Sequence, residues 1–137
     1  MYDIKFLPQV RAKKIKVSED QEQAWLFQWA RRNEKEIPEL AWLFAIPNGG
    51  HRSKRTAALL KLTGVKRGVP DIFLPLPRNG YHGLWIEMKS LAKSARPSPE
   101  QLEWIQYLEA QGYQAVVCHG FESARDTILE YLGASCA

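Results

Sequence analysis

Cysteine is nearly absent from this chain. Cys118 and Cys136 are the only two in 137 residues, too few for a disulfide framework, so a reducing, cytoplasmic setting is expected. Long apolar runs are also missing. The stretch from Ala41 to Pro47 falls far short of the ~20 residues a membrane span needs. No basic segment followed by an apolar one opens the chain, so neither a secretory leader nor membrane attachment is expected. Repeats and low-complexity tracts are lacking. Acids are absent from residues 51–70, which carry Arg52, Lys54, Arg55, Lys61, Lys66 and Arg67. Bases are scarce in residues 100–137, where six acids face the single Arg125.

What is present is ordinary for a globular protein. Hydrophobic residues make up 45% and charged residues 25%, which excludes disorder and fibrous repeats. The length suits one domain. A basic arm is expected over residues 1–17, where Lys5, Arg11, Lys13, Lys14 and Lys16 face only Asp3. A single domain over residues 18–133 and a tail over 134–137 complete the division. The net charge of +4 is modest, but its segregation leaves two readings open, a surface for a polyanion or a solvated basic face.

Local signals predict an α/β order of αβαββαβα, a small sheet flanked by helices. Ser18-x-x-Gln21 starts a first helix, with Trp25, Leu26 and Trp29 as its apolar stripe. Ala41 to Ile46 reads as a buried strand, and a second helix runs from about Ser53 to Thr63, stopped by Gly64. Strands follow over Asp71–Leu76 and Leu84–Lys89. Ser98-Pro99-Glu100-Gln101 carries an N-cap, Pro at N1 and Gln at N3, and its helix turns Leu102, Ile105 and Leu108 inward. A strand over Tyr113–Cys118 and a helix over Glu122–Leu132 close the order. The five tryptophans are expected in the core.

Gly68-Val69-Pro70-Asp71 and Glu87-Met88-Lys89 carry the chemistry. With a hairpin turn centred near residue 80, facing residues have numbers summing to roughly 160. Asp71 is then expected opposite Lys89, and Glu87 opposite Phe73. Glu87 and Lys89 share a face by the period of two. Two carboxylates and an ammonium so converge where Gly68 lets a ligand approach the backbone. Paired carboxylates suit a divalent cation, and a nearby lysine suits developing phosphate charge. A plain cross-strand ion pair, worth ~1 kcal/mol or less, explains the same spacing.

Gly68-Val69-Pro70-Asp71, Ile86-Glu87-Met88-Lys89 and Ser98-x-x-Gln101, in that order, resemble the VRR-NUC nucleases of the PD-(D/E)xK superfamily, stand-alone phage or bacterial type. Asn48-Gly49-Gly50-His51-Arg52 and Gln111-Gly112-Tyr113 extend the resemblance over residues 18–132. It implies a restriction-endonuclease-like mixed sheet flanked by helices, and cleavage of structured DNA dependent on Mg²⁺ or Mn²⁺. By that resemblance Asp71 and Glu87 bind the metal, the Met88 carbonyl completes the shell, Lys89 assists the nucleophile, and Gln101 stands near the metal or the attacking water. The capping box alone also explains Gln101. The family's first-helix glutamate is assigned to Glu19, four residues before Gln23. Glu22 is the alternative, and on the apolar face it would need a metal or another partner.

His51, Arg52, Lys54, Arg55, Lys66 and Arg67 form the expected DNA-backbone surface. Surplus aromatic surface, including Trp42, Phe44, Trp104 and Tyr107, and the two-fold symmetry of a four-way junction lead to the expectation of a homodimer. Two rival readings stand beside the endonuclease, a catalytically idle DNA-binding module and a ribonuclease of the same fold.

Overall fold

The computed structural model describes residues 16–47 and 53–134. The basic arm expected over residues 1–17 and the tail over 134–137 therefore lie almost wholly outside the described residues.

Helix starts follow their capping side chains. Ser18 accepts from the Gln21 amide and opens α1, Glu19–Asn33. Ser53 accepts from Thr56 and opens α2, Lys54–Leu62. Ser98 and Gln101 make the reciprocal capping box that opens α3, Pro99–Ala110. α4 runs over Phe121–Leu132 and ends on Gly133 in the left-handed region, φ 69°.

The strands β1 (Phe44–Ala45), β2 (Ile72–Leu74), β3 (Leu84–Lys89) and β4 (Gln114–His119) form one sheet in the order β1-β2-β3-β4. β1–β2 and β2–β3 pair antiparallel, and β3–β4 pairs parallel, so the sheet is mixed. α3 is the crossover between the parallel strands. One face carries Ile72, Leu74, Leu84, Ile86 and Met88 against Leu26 and Ala30 of α1 and Ala124 and Ile128 of α4. The other carries Trp85, Tyr113, Ala115 and Val117 against Ile105 and Leu108 of α3. Three layers, helix on sheet on helix, result.

Four local expectations are corrected. The stretch from Ala41 to Ile46 is no buried strand: a 3-10 helix, Pro38–Trp42, is followed by a two-residue edge strand exposed at both positions. Leu102 faces outward on α3 at 44% exposure, while Ile105 and Leu108 are buried. None of the five tryptophans is fully buried; Trp25 and Trp42 are exposed, and Trp29, Trp85 and Trp104 are half-buried. An apolar stripe sets which side of a helix is buried, but how deeply depends on what lies opposite.

The hairpin register is the fourth. Phe73 faces Trp85, not Glu87, and continuing that register sets Asp71 opposite Glu87 instead of Lys89. The turn centres on Asn79-Gly80, both at positive φ (53° and 82°), as a tight primed turn requires. Between the Arg78–Tyr81 bridge and the Leu74–Leu84 pair, Pro75-Leu76-Pro77 stands against only His82-Gly83. That extra residue shifts the register, and the two prolines supply no ladder donor there.

Candidate active site

Asp71 follows the buried Pro70 and is tied on both sides. Its backbone carbonyl accepts from Ile46 N at 2.7 Å, and its Oδ2 accepts from Met88 N at 2.8 Å. Glu87 projects from β3 at only 1% exposure. Its Oε1 accepts from Gln101 Nε2 at 2.7 Å, while its Oε2 is buried with no hydrogen-bond partner among the described residues. Lys89, on the same face, places Nζ 3.5 Å from Glu87 Oε1 and 3.8 Å from Glu19 Oε1.

Glu19 enters from the first turn of α1. One oxygen from each of Glu19, Asp71 and Glu87 lies within 4.8 Å of the others. These groups, with Ser18, Asp20, Gln23, Gly68, Val69 and Gln101, line an open cleft of ≈ 480 Å³. Residues of the first turns of α1 and α3 line it, and the partial positive charge of helix N-termini favours anions.

The electrostatics follow from burial. Desolvation pushes the Asp71 carboxyl up, against the Met88 amide and the Lys89 charge, which pull it down. Desolvation, then the charge of Asp71, pushes Glu87 up to about 8, with Lys89 opposing. Such a pair holds a proton until a cation displaces it. Donor chemistry here is all carboxylate oxygen, with an orphaned buried Oε2 on Glu87. That set fits a hard, six-coordinate ion of the Mg²⁺ or Mn²⁺ kind, and no imidazole or thiolate of the zinc-site type joins it among the described residues.

A search among curated proteins returns no match. The VRR-NUC domain model matches residues 9–122. The chain belongs to the VRR-NUC family. A solved VRR_NUC domain protein is similar at 32% identity with a TM-score of 0.73, over 86% of this chain and 90% of that one. The fold is therefore the nuclease-type α/β fold of that family, within the PD-(D/E)xK superfamily.

Of the residues singled out in the sequence, Glu19, Asp71, Glu87, Lys89 and Gln101 come together in one cleft. Met88 sends its side chain into the core at 1% exposure and its amide to Asp71. Gln101 serves both readings at once: Oε1 accepts from Ser98 N at 2.8 Å, and Nε2 reaches Glu87. Glu22 stays out of the cleft. Its carboxyl, 3% exposed, accepts from Phe121 N at 2.6 Å and so caps α4. Of the basic residues, Lys54, Arg55, Lys66 and Arg67 are exposed on or after α2. His51 and Arg52 lie outside the described residues.

Asp20 had no clear signal in the sequence, and Gly68, expected to admit a ligand, carries a second constraint. Gly68 lines the cleft, but its φ is +89° and a Cβ there would stand 2.8 Å from the Glu100 carbonyl carbon and oxygen. Its smallness is demanded by the first turn of α3 as well as by any ligand. Asp20 also borders the cleft and helps raise Asp71. His82 packs edge-on against Tyr113, and His119 Nδ1 lies 3.1 Å from the Ser90 carbonyl; neither joins the acidic group. Trp85 stacks on Phe73 at 4.2 Å, which makes it hairpin packing.

Proposed function

We propose that this chain is a metal-dependent endonuclease that hydrolyses phosphodiester bonds in structured, branched DNA and works as a homodimer. The observation that carries the reading is the trio Glu19, Asp71 and Glu87, with Lys89 within 4 Å of two of them, in the cleft of a VRR-NUC domain. Asp71 and Glu87, with the Met88 carbonyl, are the metal ligands, and Glu19 adds a more exposed oxygen. A bound Mg²⁺ or Mn²⁺ supplies Lewis acidity and a water of lowered pKa. The remaining work falls to the chain. Gln101 holds Glu87 in place with a hydrogen bond to its Oε1. The Lys89 ammonium, at 8% exposure, stands beside the carboxylates where it can orient water and offset charge on the phosphate. The N-terminal turns of two helices favour the anionic diester.

Lys54, Arg55, Lys66 and Arg67, with His51 and Arg52, hold the DNA backbone. Exposed apolar surface on Trp42 (65%), Phe44 (45%) and Tyr107 (56%) supports self-association. α2 adds to it, since none of its residues is buried and Leu59 and Leu62 stand exposed. A dimer would set two sites on opposed strands of a symmetric junction.

The test is a panel of duplex, flap, three-way and four-way DNA with matched RNA, incubated with Mg²⁺, Mn²⁺ or Ca²⁺. Metal-dependent cutting of branched DNA that Asp71→Asn abolishes is expected, with about twice the chain mass in light scattering. Preference for RNA, or cutting that survives both Asp71→Asn and Glu87→Gln, would overturn the reading.

A further inference from the structure

Beside the carboxylate cleft lies a second, apolar pocket of ≈ 310 Å³, lined mainly by Ile46, Val65, Lys66, Val69 and Trp104. Its size is at the small end of ligand pockets, ~300–1,000 Å³, which suits one ring system. It adjoins the acidic site through the backbone. Val69 lines both hollows, and Ile46 N is bonded to the Asp71 carbonyl at 2.7 Å. Paired strands stand ~4.8 Å apart, so the pocket and the metal-ligating carboxylates are close neighbours.

Trp104 forms a wall whose orientation is set. Its Nε1 donates to the Arg67 carbonyl at 3.1 Å, and Tyr107 packs edge-on against it at 6.2 Å. With its one donor committed, the indole has only its ring to offer a ligand. Charge is asymmetric about it. Lys66 lines the pocket, no acid among the described residues does, and residues 53–66 bring four cations and no acid. A neighbouring hollow that shares Trp104 is lined by Glu100 and Glu103 with Arg67, an excess of acid that disfavours phosphate.

We infer that this pocket receives an unpaired nucleobase, stacked against Trp104, from the strand whose phosphate lies at Asp71 and Glu87. The inference rests on the nuclease reading and deepens it. A ring wall without a free donor takes any base, because every base has a π-face. Lys66 and the cations of α2 hold the backbone of that strand. A paired base could not enter, so the pocket selects DNA that is open next to the cut. Selection of branched over continuous duplex then arises within one protomer.

The test uses a fluorescent flap duplex made as a series, with an abasic analogue at each unpaired or branch-point position in turn. Affinity is read by anisotropy without divalent ion, and cleavage is followed in parallel with Mn²⁺. One member is expected to bind about 5- to 100-fold more weakly than the intact flap. Trp104→Ala should bind all members alike at that weaker level, and Trp104→Phe, which keeps a ring, should retain the difference. Because Trp104 also anchors α3 to Arg67, Val65→Gln serves as a second variant, filling the pocket from an exposed position; the same levelling is expected. Uniform affinity across the series with normal cleavage overturns the base pocket and leaves the nuclease reading standing. Neither binding nor cleavage of any member overturns both. A Val65→Gln protein that keeps the difference but becomes monomeric shows a second copy of the chain in the pocket, and the inference falls.

Discussion

Metal affinity should depend on pH through Glu87. Its carboxyl is pushed from the ordinary 4.5 up to about 8 by burial and by Asp71, yet a cation needs it ionised. At pH 7 about ten protonated molecules then stand for each ionised one, which costs binding ~1.4 kcal/mol, and each further unit of acid costs another tenfold. Asp71 is shifted in the same direction, so at least one proton should leave per ion bound. Calorimetry with Mn²⁺ in buffers of different ionisation heat, from pH 6 to 9, measures both. The logarithm of the affinity should climb with slope of about one or more and flatten above pH ~8. Without the ion, the same shift acts on folding. A folded pKa above the unfolded one stabilises below about 4.5, and that contribution is lost as pH rises through about 8. Ion-free protein should therefore melt lower at pH 9 than at pH 5, and Glu87→Gln should lessen that fall while losing the ion. Affinity that is flat from pH 6 to 8, or wild-type ion binding by Glu87→Gln, would refute the reasoning.

Gly68→Ala should lower the melting temperature by ~5–15 °C, since a side chain at φ +89° is strained and its Cβ meets the Glu100 backbone. A melt within ~2 °C of wild type would show that the loop moves freely from α3. Glu22→Ala should cost ~1–3 kcal/mol in urea unfolding by leaving the Phe121 amide without its acceptor, with Glu22→Gln restoring most of it; equal stabilities would remove the clamp. Replacing Arg52, Lys54 and Arg55 together should weaken every DNA in parallel and reduce the log–log salt slope by ~2–3, whereas a changed sequence preference at constant affinity would place them on bases.

Much of this molecule was legible because its signals are local. Ser18, Ser53 and Ser98 each satisfy an amide three residues on, and Gly133 ends α4 at positive φ, so helix limits follow from a few neighbouring residues. The αβαββαβα order and the pairing of Asp71 with Glu87 and Lys89 in one region followed from alternation along two strands. Contacts distant in sequence decided the rest. Glu19 and Glu22 lie within one turn of one helix, and nothing in that turn tells which meets Asp71; the Phe121 amide, 99 residues away, claims Glu22 and leaves Glu19 for the cleft. Register moved by two residues, one because the turn centres between Asn79 and Gly80 and one from the extra residue in Pro75-Leu76-Pro77, and alternation cannot detect a shift of two because each face keeps its parity. Burial of Trp25, Trp42 and Leu102 depended on whether an element stands opposite, and none among the described residues covers them. The apolar pocket beside Asp71 is built from Ile46, Val65, Val69 and Trp104, residues that only the packing of α3 against the loop before β2 brings together.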